Sequence, residues 1–228
     1  MDTLTGSDGS NALAINAIKS LFSFAVKFGY MQINLGQALS APKARDELAQ
    51  RILSEAEVIR LIDRTTNRRD HALFRLLYHA GLRVSEIVAL KWEDVREVET
   101  GAILSLWGKG EKQRYVPISQ GMYQELLELE GHYQGKDRYV FRSRKGKNGT
   151  VPMDTRQVER LTLDAAKRAG IDGNVSPHWL RHSNASHALD NGAPIHVVKE
   201  SLGHSSLVTT TRYAHIKPGT GSSQYIKI

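Results

Sequence analysis

The chain has 228 residues, 40% of them hydrophobic, which is enough for the core of one large domain or of one domain and part of a second; its apolar runs are too short and too interrupted by charge to span a membrane. It contains no cysteine, which excludes disulfides and thiolate metal sites and fits a reducing cytoplasm. The formal net charge of +7 and a pI near 9.6 suit a protein that sits on polyanions, although mildly basic soluble proteins are common; the N-terminus lacks the basic and apolar regions of a secretory signal.

Residues 1–10 are polar and rich in Gly and Ser, and read as a disordered start. From Ala12 to Tyr30, Leu13, Ile15, Ile18, Leu21, Phe22, Phe24 and Ala25 recur at helical spacing, on a face wide enough to expect partners. Gly29 closes this helix, and the basic Ala/Pro/Lys stretch at about residues 40–50 reads as a linker, dividing the chain into 1–48 and 49–228. Ser54 with Glu57 has the spacing of a capping box, so a helix is expected from there to about Arg64, and another over Arg68–His79. Gly81 ends the latter. Ser85 and Glu86 lie in the next helix, and Arg83 sits at the junction between the two. Arg83 has two readings from this stretch: a structural ion pair with Glu86, or a ligand contact.

From Ala102 the apolar period changes to two, and Ile103, Leu104 and Leu106 followed by Tyr115, Val116 and Ile118 predict a β-hairpin with Lys109 at its tip. A lysine between glycines is, taken alone, a solvated turn. A helix from Ser119 to about Glu130 is followed by Arg138, Arg142, Arg144, Lys145 and Lys147, read either as a flexible surface loop or as a stretch that tracks a phosphate backbone. Asp154 caps a helix through Lys167. Pro177 is suited to the first turn of another helix, where His178 and Arg181 lie three apart on one face. Asn191-Gly192 ends it; Ala193–Leu202 forms the next, with Ile195, Val198 and Leu202 inward; Gly203 stops that one, His204 marks the break, and a short helix from about Ser206 carries Tyr213. The overall class expected is α+β, predominantly helical with a small antiparallel sheet. Two imidazoles, a guanidinium and a phenol at these places suggest a site for a phosphate.

In order, Gly81-Leu82-Arg83-Val84-Ser85-Glu86, Gly108-Lys109-Gly110, His178-x-x-Arg181-His182, Leu202-Gly203-His204-Ser205-Ser206 and Thr211-Arg212-Tyr213 resemble the catalytic domain of the tyrosine recombinases, the family of phage integrases and Xer-type recombinases. The resemblance runs from residue 12 to about 216 and includes Asn191-Gly192-Ala193-Pro194. It implies an enzyme that cuts and rejoins DNA at specific sites through a covalent 3′-phosphotyrosine, without metal, ATP or other cofactor. Tyr213 would be the nucleophile, and Arg83 and Arg181 would hold the non-bridging phosphate oxygens. Lys109 would protonate the leaving 5′ oxygen, His178 would take the tyrosine proton, and His204 would hydrogen-bond the phosphate. Glu86 stands where the family often has an acid that orients the first arginine; His182 reads as structural.

The same resemblance implies double-stranded DNA as partner, a homotetramer on paired sites, accessory DNA-bending factors and a cytoplasmic location. Two departures stand out. Asn184 and Ser186 replace the usual apolar residue and Thr, which is expected to loosen that helix. Relatives also carry a separate helical core-binding clamp, of which only the final helix or two would be represented, at about residues 11–37. A DNA-binding module that no longer recombines is therefore the alternative. A metal-dependent hydrolase built on His178, His182, His187 and His204 is disfavoured, since no HExxH pair is present, and Ile195–Leu202 is too apolar for a recognition helix. After Tyr213 the chain to Ile228 leaves the domain as an arm. Its end, Tyr225–Ile228, either frays or docks on a neighbouring subunit.

Overall fold

The computed structural model describes residues 8–42, 51–107, 113–130, 138–143, 151–203 and 210–211. The chain divides into two compact units, Met1–Glu47 and Leu48–Ile228. In the first, helix α1 (Asp8–Lys27) is followed by a single 3₁₀ turn, Leu35–Ala38, which Asn34 caps by accepting from the Gly36 N–H. The turn is tied back to α1 by Lys19 Nζ donating to Leu39 O and by Asn34 Nδ2 donating to Ser23 Oγ. Leu13, Leu21 and Phe24 of α1, and Phe28 just after it, remain exposed. The linker expected near 40–50 falls mostly outside the described residues.

The second unit begins with the capping box. Ser54 Oγ accepts from the Glu57 N–H, the Glu57 carboxylate accepts from the Ser54 N–H, and α2 (Glu55–Asp63) follows. Asn67 caps α3 (Arg68–His79), whose Leu73, Phe74, Leu76 and Leu77 are completely buried. Helix α4 (Val84–Ala89) is short. Beyond it lies a sheet of three antiparallel strands rather than the two of the expected hairpin: β1 (Val95–Val98), β2 (Gly101–Trp107) and β3 (Gln113–Ser119), in that order. Leu104 stands opposite Val116, and Ala102 opposite Ile118. These four side chains face the helices, with α5 (Gln120–Glu130) contributing Met122 and Leu126 to the same core. Each such leucine or phenylalanine taken from water stabilises the fold by roughly 1.5–3 kcal/mol.

The basic stretch after α5 is corrected in part. Residues 138–143 are not a free surface loop: Val140 and Phe141 are buried, Tyr139 bridges to Lys91, Arg142 bridges to Pro152, and Arg142 Nη2 donates to Leu129 O. The apolar pair pins the segment to the core, and Arg138 and Arg142 are half-buried beside it. Arg144, Lys145 and Lys147 lie outside the described residues. Asp154 caps α6 (Thr155–Arg168) through the Arg156 N–H, and Pro177 is the first residue of α7 (Pro177–Asp190). Helix α7 runs unbroken through Asn184 and Ser186, so the expected loosening does not occur: Ser186 is buried, and Asn184 Nδ2 donates to His79 O. Helix α8 (Ile195–Leu202) buries Val198 and Leu202, while Ile195 is only half-buried. No described helix is long and apolar enough to cross a membrane.

Candidate active site

Helix α8 ends at Gly203, in the left-handed conformation (φ +64°) that glycine adopts without a side-chain clash. The last carbonyls of a helix have no intrahelical donor and carry the negative end of its dipole, so they attract cations. Here three consecutive carbonyls each receive a different arginine. Arg114 Nε donates to Ser201 O at 3.0 Å, Arg181 Nη2 to Leu202 O at 2.5 Å, and Arg83 Nη2 to Gly203 O at 2.9 Å. The three come from the start of β3, the second turn of α7 and the residue before α4. One helix end thus gathers side chains that are far apart in sequence.

Arg181 is the most enclosed of them, at 5% exposure, and its Nη1 donates to Gly81 O. Gly81 explains the close approach. Its φ is +59°, and a Cβ there would lie 2.6 Å from Leu202 Cδ2 and 2.7 Å from Asn184 Oδ1, so the α3–α4 turn can press its backbone onto α7 and α8 only as glycine.

The ion-pair reading of Arg83 holds, and it leaves the side chain accessible. Its Nη1 donates to Glu86 Oε1 at 2.8 Å and its backbone N–H to Glu86 Oε2 at 2.7 Å, yet its side chain remains 34% exposed. The ion pair aims the guanidinium; it does not bury it. Glu86, only 6% exposed, is also gripped from the other side by Arg114, Nη1 to Oε1 at 2.5 Å and Nη2 to Oε2 at 2.8 Å. Burial pushes the Glu86 carboxyl up, and this is the largest single influence. The hydrogen bonds from Arg114 and the Arg83 N–H, with the two positive charges, outweigh it and hold the pKa down to about 2.

His178 lies at the N-terminal end of α7, one turn before Arg181, with its side chain at the surface. Partial burial of the ring, then the Arg181 charge and more weakly that of Arg83, lower its pKa despite the opposing influence of Glu159. The imidazole is therefore neutral at pH 7 and able to accept a proton. The His182 ring stacks beside it, with centroids 6.3 Å apart. His187 is turned elsewhere, its Nδ1 2.9 Å from Tyr78 OH, and among the described residues no group of three or more His, Asp or Glu could hold a metal ion.

Of the residues expected from sequence, the structure brings together Arg83, Glu86, Arg181 and His178. Lys109, His204 and Tyr213 lie outside the described residues, as do the rest of the short helix expected to carry Tyr213, of which only Thr210 and Thr211 are described, and the C-terminal arm. Sequence reading missed Arg114. The available signal was its phase: Arg114, Val116 and Ile118 alternate onto the same face of β3, so an arginine occupied a core-facing position.

Comparison with known proteins adds to this geometry. A model described as the phage integrase family matches residues 48–219. The chain is 36% identical over 207 residues to tyrosine recombinase XerC of Xanthomonas axonopodis pv. citri (strain 306), covering 89% of this chain and 66% of that protein. It therefore spans just under two thirds of that relative's length. Among solved structures, the XerA recombinase superposes with a TM-score of 0.64 at 32% identity, over 92% of this chain and 72% of the other. A lambda integrase tetramer bound to a Holliday junction superposes with a TM-score of 0.67 over 88% of this chain and 60% of the other; at 20% identity that likeness shows the fold alone.

Proposed function

The chain belongs to the phage integrase family, and from that premise we propose that it is a site-specific DNA recombinase of the tyrosine type. The observation that carries this reading is the pairing of Arg83 and Arg181 on adjacent carbonyls at the end of α8, with neutral His178 one turn away. Two guanidiniums at fixed spacing match a phosphodiester: their planar forks of N–H groups donate to its oxygens, and their charge stabilises the negative charge that grows there in the transition state.

The reaction follows from these groups. His178 accepts the phenol proton of Tyr213, and the phenolate oxygen attacks the scissile phosphorus. The new P–O(Tyr) bond replaces the bond to the 5′ oxygen, which Lys109 protonates as it leaves. The 3′ phosphate stays on the enzyme as an ester, so rejoining to another 5′-hydroxyl needs no outside energy. Arg83, Arg181 and His204 hold the non-bridging oxygens throughout. Residues 1–48 act as the last part of a helical clamp on double-stranded DNA. Exchange of two duplexes requires four cleavages, which assigns four copies of the chain to a complete reaction; this takes place where chromosomal DNA lies, in the cytoplasm. Accessory proteins that bend DNA would help to bring the sites together.

The test is a nicked duplex that loses its short 5′-hydroxyl fragment after cleavage and so traps the intermediate. The expected result is a protein–DNA adduct that survives SDS and EDTA, and that is absent with Tyr213→Phe although DNA binding is retained. DNA binding with no adduct from the natural chain would make it a binding module instead. An adduct of normal yield from Tyr213→Phe would remove Tyr213 as the nucleophile.

A further inference from the structure

Arg114 has three of its guanidinium N–H groups engaged, two on the Glu86 carboxylate and one on Ser201 O, and its side chain is only 12% exposed. It is thus poorly placed to reach a DNA phosphate itself. Its aliphatic stem also lies against the α8 cap: a Cβ at Gly203 would come within 3.0 Å of Arg114 Cδ. One side chain therefore joins three pieces of the site. It fixes Glu86, which in turn holds the Arg83 guanidinium and backbone N–H. It fixes the last turn of α8, whose next two carbonyls take Arg181 and Arg83. And it belongs to β3, whose first residue, Gln113, pairs with Trp107 at the end of β2.

We propose that Arg114 is a positioning residue for DNA cleavage, locking Glu86 and the end of α8 so that Arg83 and Arg181 meet the scissile phosphate at a fixed spacing. The assignment rests on the functional reading above. Its charge logic is specific. Glu86 would otherwise compensate Arg83, and a carboxylate paired with a phosphate-binding arginine weakens that arginine's hold on the phosphate. Arg114, the more buried partner, takes both carboxylate oxygens, while Arg83 takes one through its side chain. Arg83 is thereby oriented without being neutralised. The chelate on both oxygens needs a planar fork, which a lysine ammonium lacks.

The experiment measures single-turnover adduct formation on the nicked duplex and DNA affinity for the natural chain, Arg114→Met, Arg114→Lys, Glu86→Gln and the double variant Glu86→Gln/Arg114→Met, with Tyr213→Phe as the blank. Arg114→Met should slow adduct formation on the order of 10- to 100-fold, the worth of one or two charge-assisted hydrogen bonds, with DNA affinity within about threefold of the natural chain. Arg114→Lys should fall between the two. The double variant should be no slower than the slower single variant, because both act on Arg83 through the same link. A second substrate, with a neutral methylphosphonate at the scissile position, should narrow the gap between Arg114→Met and the natural chain, since less charge then depends on Arg83; a merely structural defect would slow both substrates alike.

Losses that multiply in the double variant, or an equal loss on the neutral substrate, overturn the assignment. If Arg114→Met does not fold, Arg114→Lys decides, and a lysine variant as fast as the natural chain overturns it. A natural chain that forms no adduct overturns the functional reading and this assignment with it. Normal adduct from the natural chain and from Arg114→Met alike overturns the assignment alone.

Discussion

Glu86→Gln is the change whose cost can be worked furthest from the structure. The natural carboxylate is 6% exposed and accepts four N–H groups, two from Arg114 and two from Arg83. Glutamine keeps one acceptor oxygen but turns an NH₂ group towards a guanidinium and leaves two positive charges facing each other. Removing one partner of a buried ion pair costs about 3–5 kcal/mol. The lower end, about 3 kcal/mol, applies here because Arg83 is a third exposed and water screens it. For a domain of this size that corresponds to a fall in Tm of roughly 6–12 °C. The pH dependence supplies a second check. The Glu86 pKa is held at about 2 in the fold against an ordinary 4.5, so its contribution is fully present above pH 4.5 and is lost as pH falls towards 2. Thermal unfolding followed by circular dichroism at pH 7 and at several values between 5 and 2.5 makes the comparison. The two proteins should differ by a constant amount down to about pH 4.5 and then converge. A variant that melts within a degree of the natural chain at pH 7, or a gap undiminished at pH 2.5, would refute the reasoning.

Gly81→Ala should destabilise the protein by about 2–4 kcal/mol in a denaturant titration and depress cleavage, because a left-handed turn and a 2.6 Å clash with Leu202 are imposed beside Arg181. Phe141→Ala, in the stretch that reads as a basic loop, should cost about 3–5 kcal/mol by the same measurement, as a core phenylalanine does and a loop residue does not. Lys109→Ala should slow adduct formation on the order of 10²- to 10⁴-fold, and a bridging 5′-phosphorothiolate, whose sulfur leaves without a proton, should restore much of the loss. His178 is depressed below its ordinary 6.5, so the neutral ring persists as pH drops through that value; the acid limb of the cleavage profile should fall below pH 6.5 and disappear in His178→Gln.

What the sequence made legible was local chemistry. Ser54 with Glu57, Asp154, Pro177 and the glycines at 81 and 203 each act within a few residues of themselves, so helix ends could be read from short spacings. The alternation after Ala102 gave two strands for the same reason. Strand β1 was missed because its residues, Val95-Arg96-Glu97-Val98, carry charge on the exposed positions and only half-bury the valines; their pairing with β2 is what makes them a strand. Val140 and Phe141 were hidden by the arginines around them. Arg114 lies 28 residues from Glu86 and 87 from Ser201, and Ser183 Oγ accepts the Leu53 N–H across 130 residues. Interactions of that range have no local signature, which is why Arg83, Glu86 and Arg181 could be read from short motifs and Arg114, which bonds to Glu86 and to the end of α8, could not.

Holding the arginines proposed to bind phosphate on carbonyl oxygens has a consequence that a carboxylate could not provide. A carbonyl accepts a guanidinium N–H and fixes its direction while leaving its full charge in place, whereas a carboxylate fixes and neutralises at once. Among the described side chains, Arg83, Arg114, Arg181 and Glu86 leave a net of two positive charges. Under the proposed chemistry a phosphodiester enters with one negative charge and carries nearly two in its pentavalent transition state. The cluster is then better matched to the transition state than to the bound DNA, which is the condition for accelerating the reaction rather than merely tightening binding. The dipole of α8 works in the same direction, because its negative end lies behind the guanidiniums and keeps their mutual repulsion from splaying them apart. The end of one eight-residue helix thus sets the spacing, the charge and the rigidity of the site together, from arginines that the sequence keeps as much as 120 residues away.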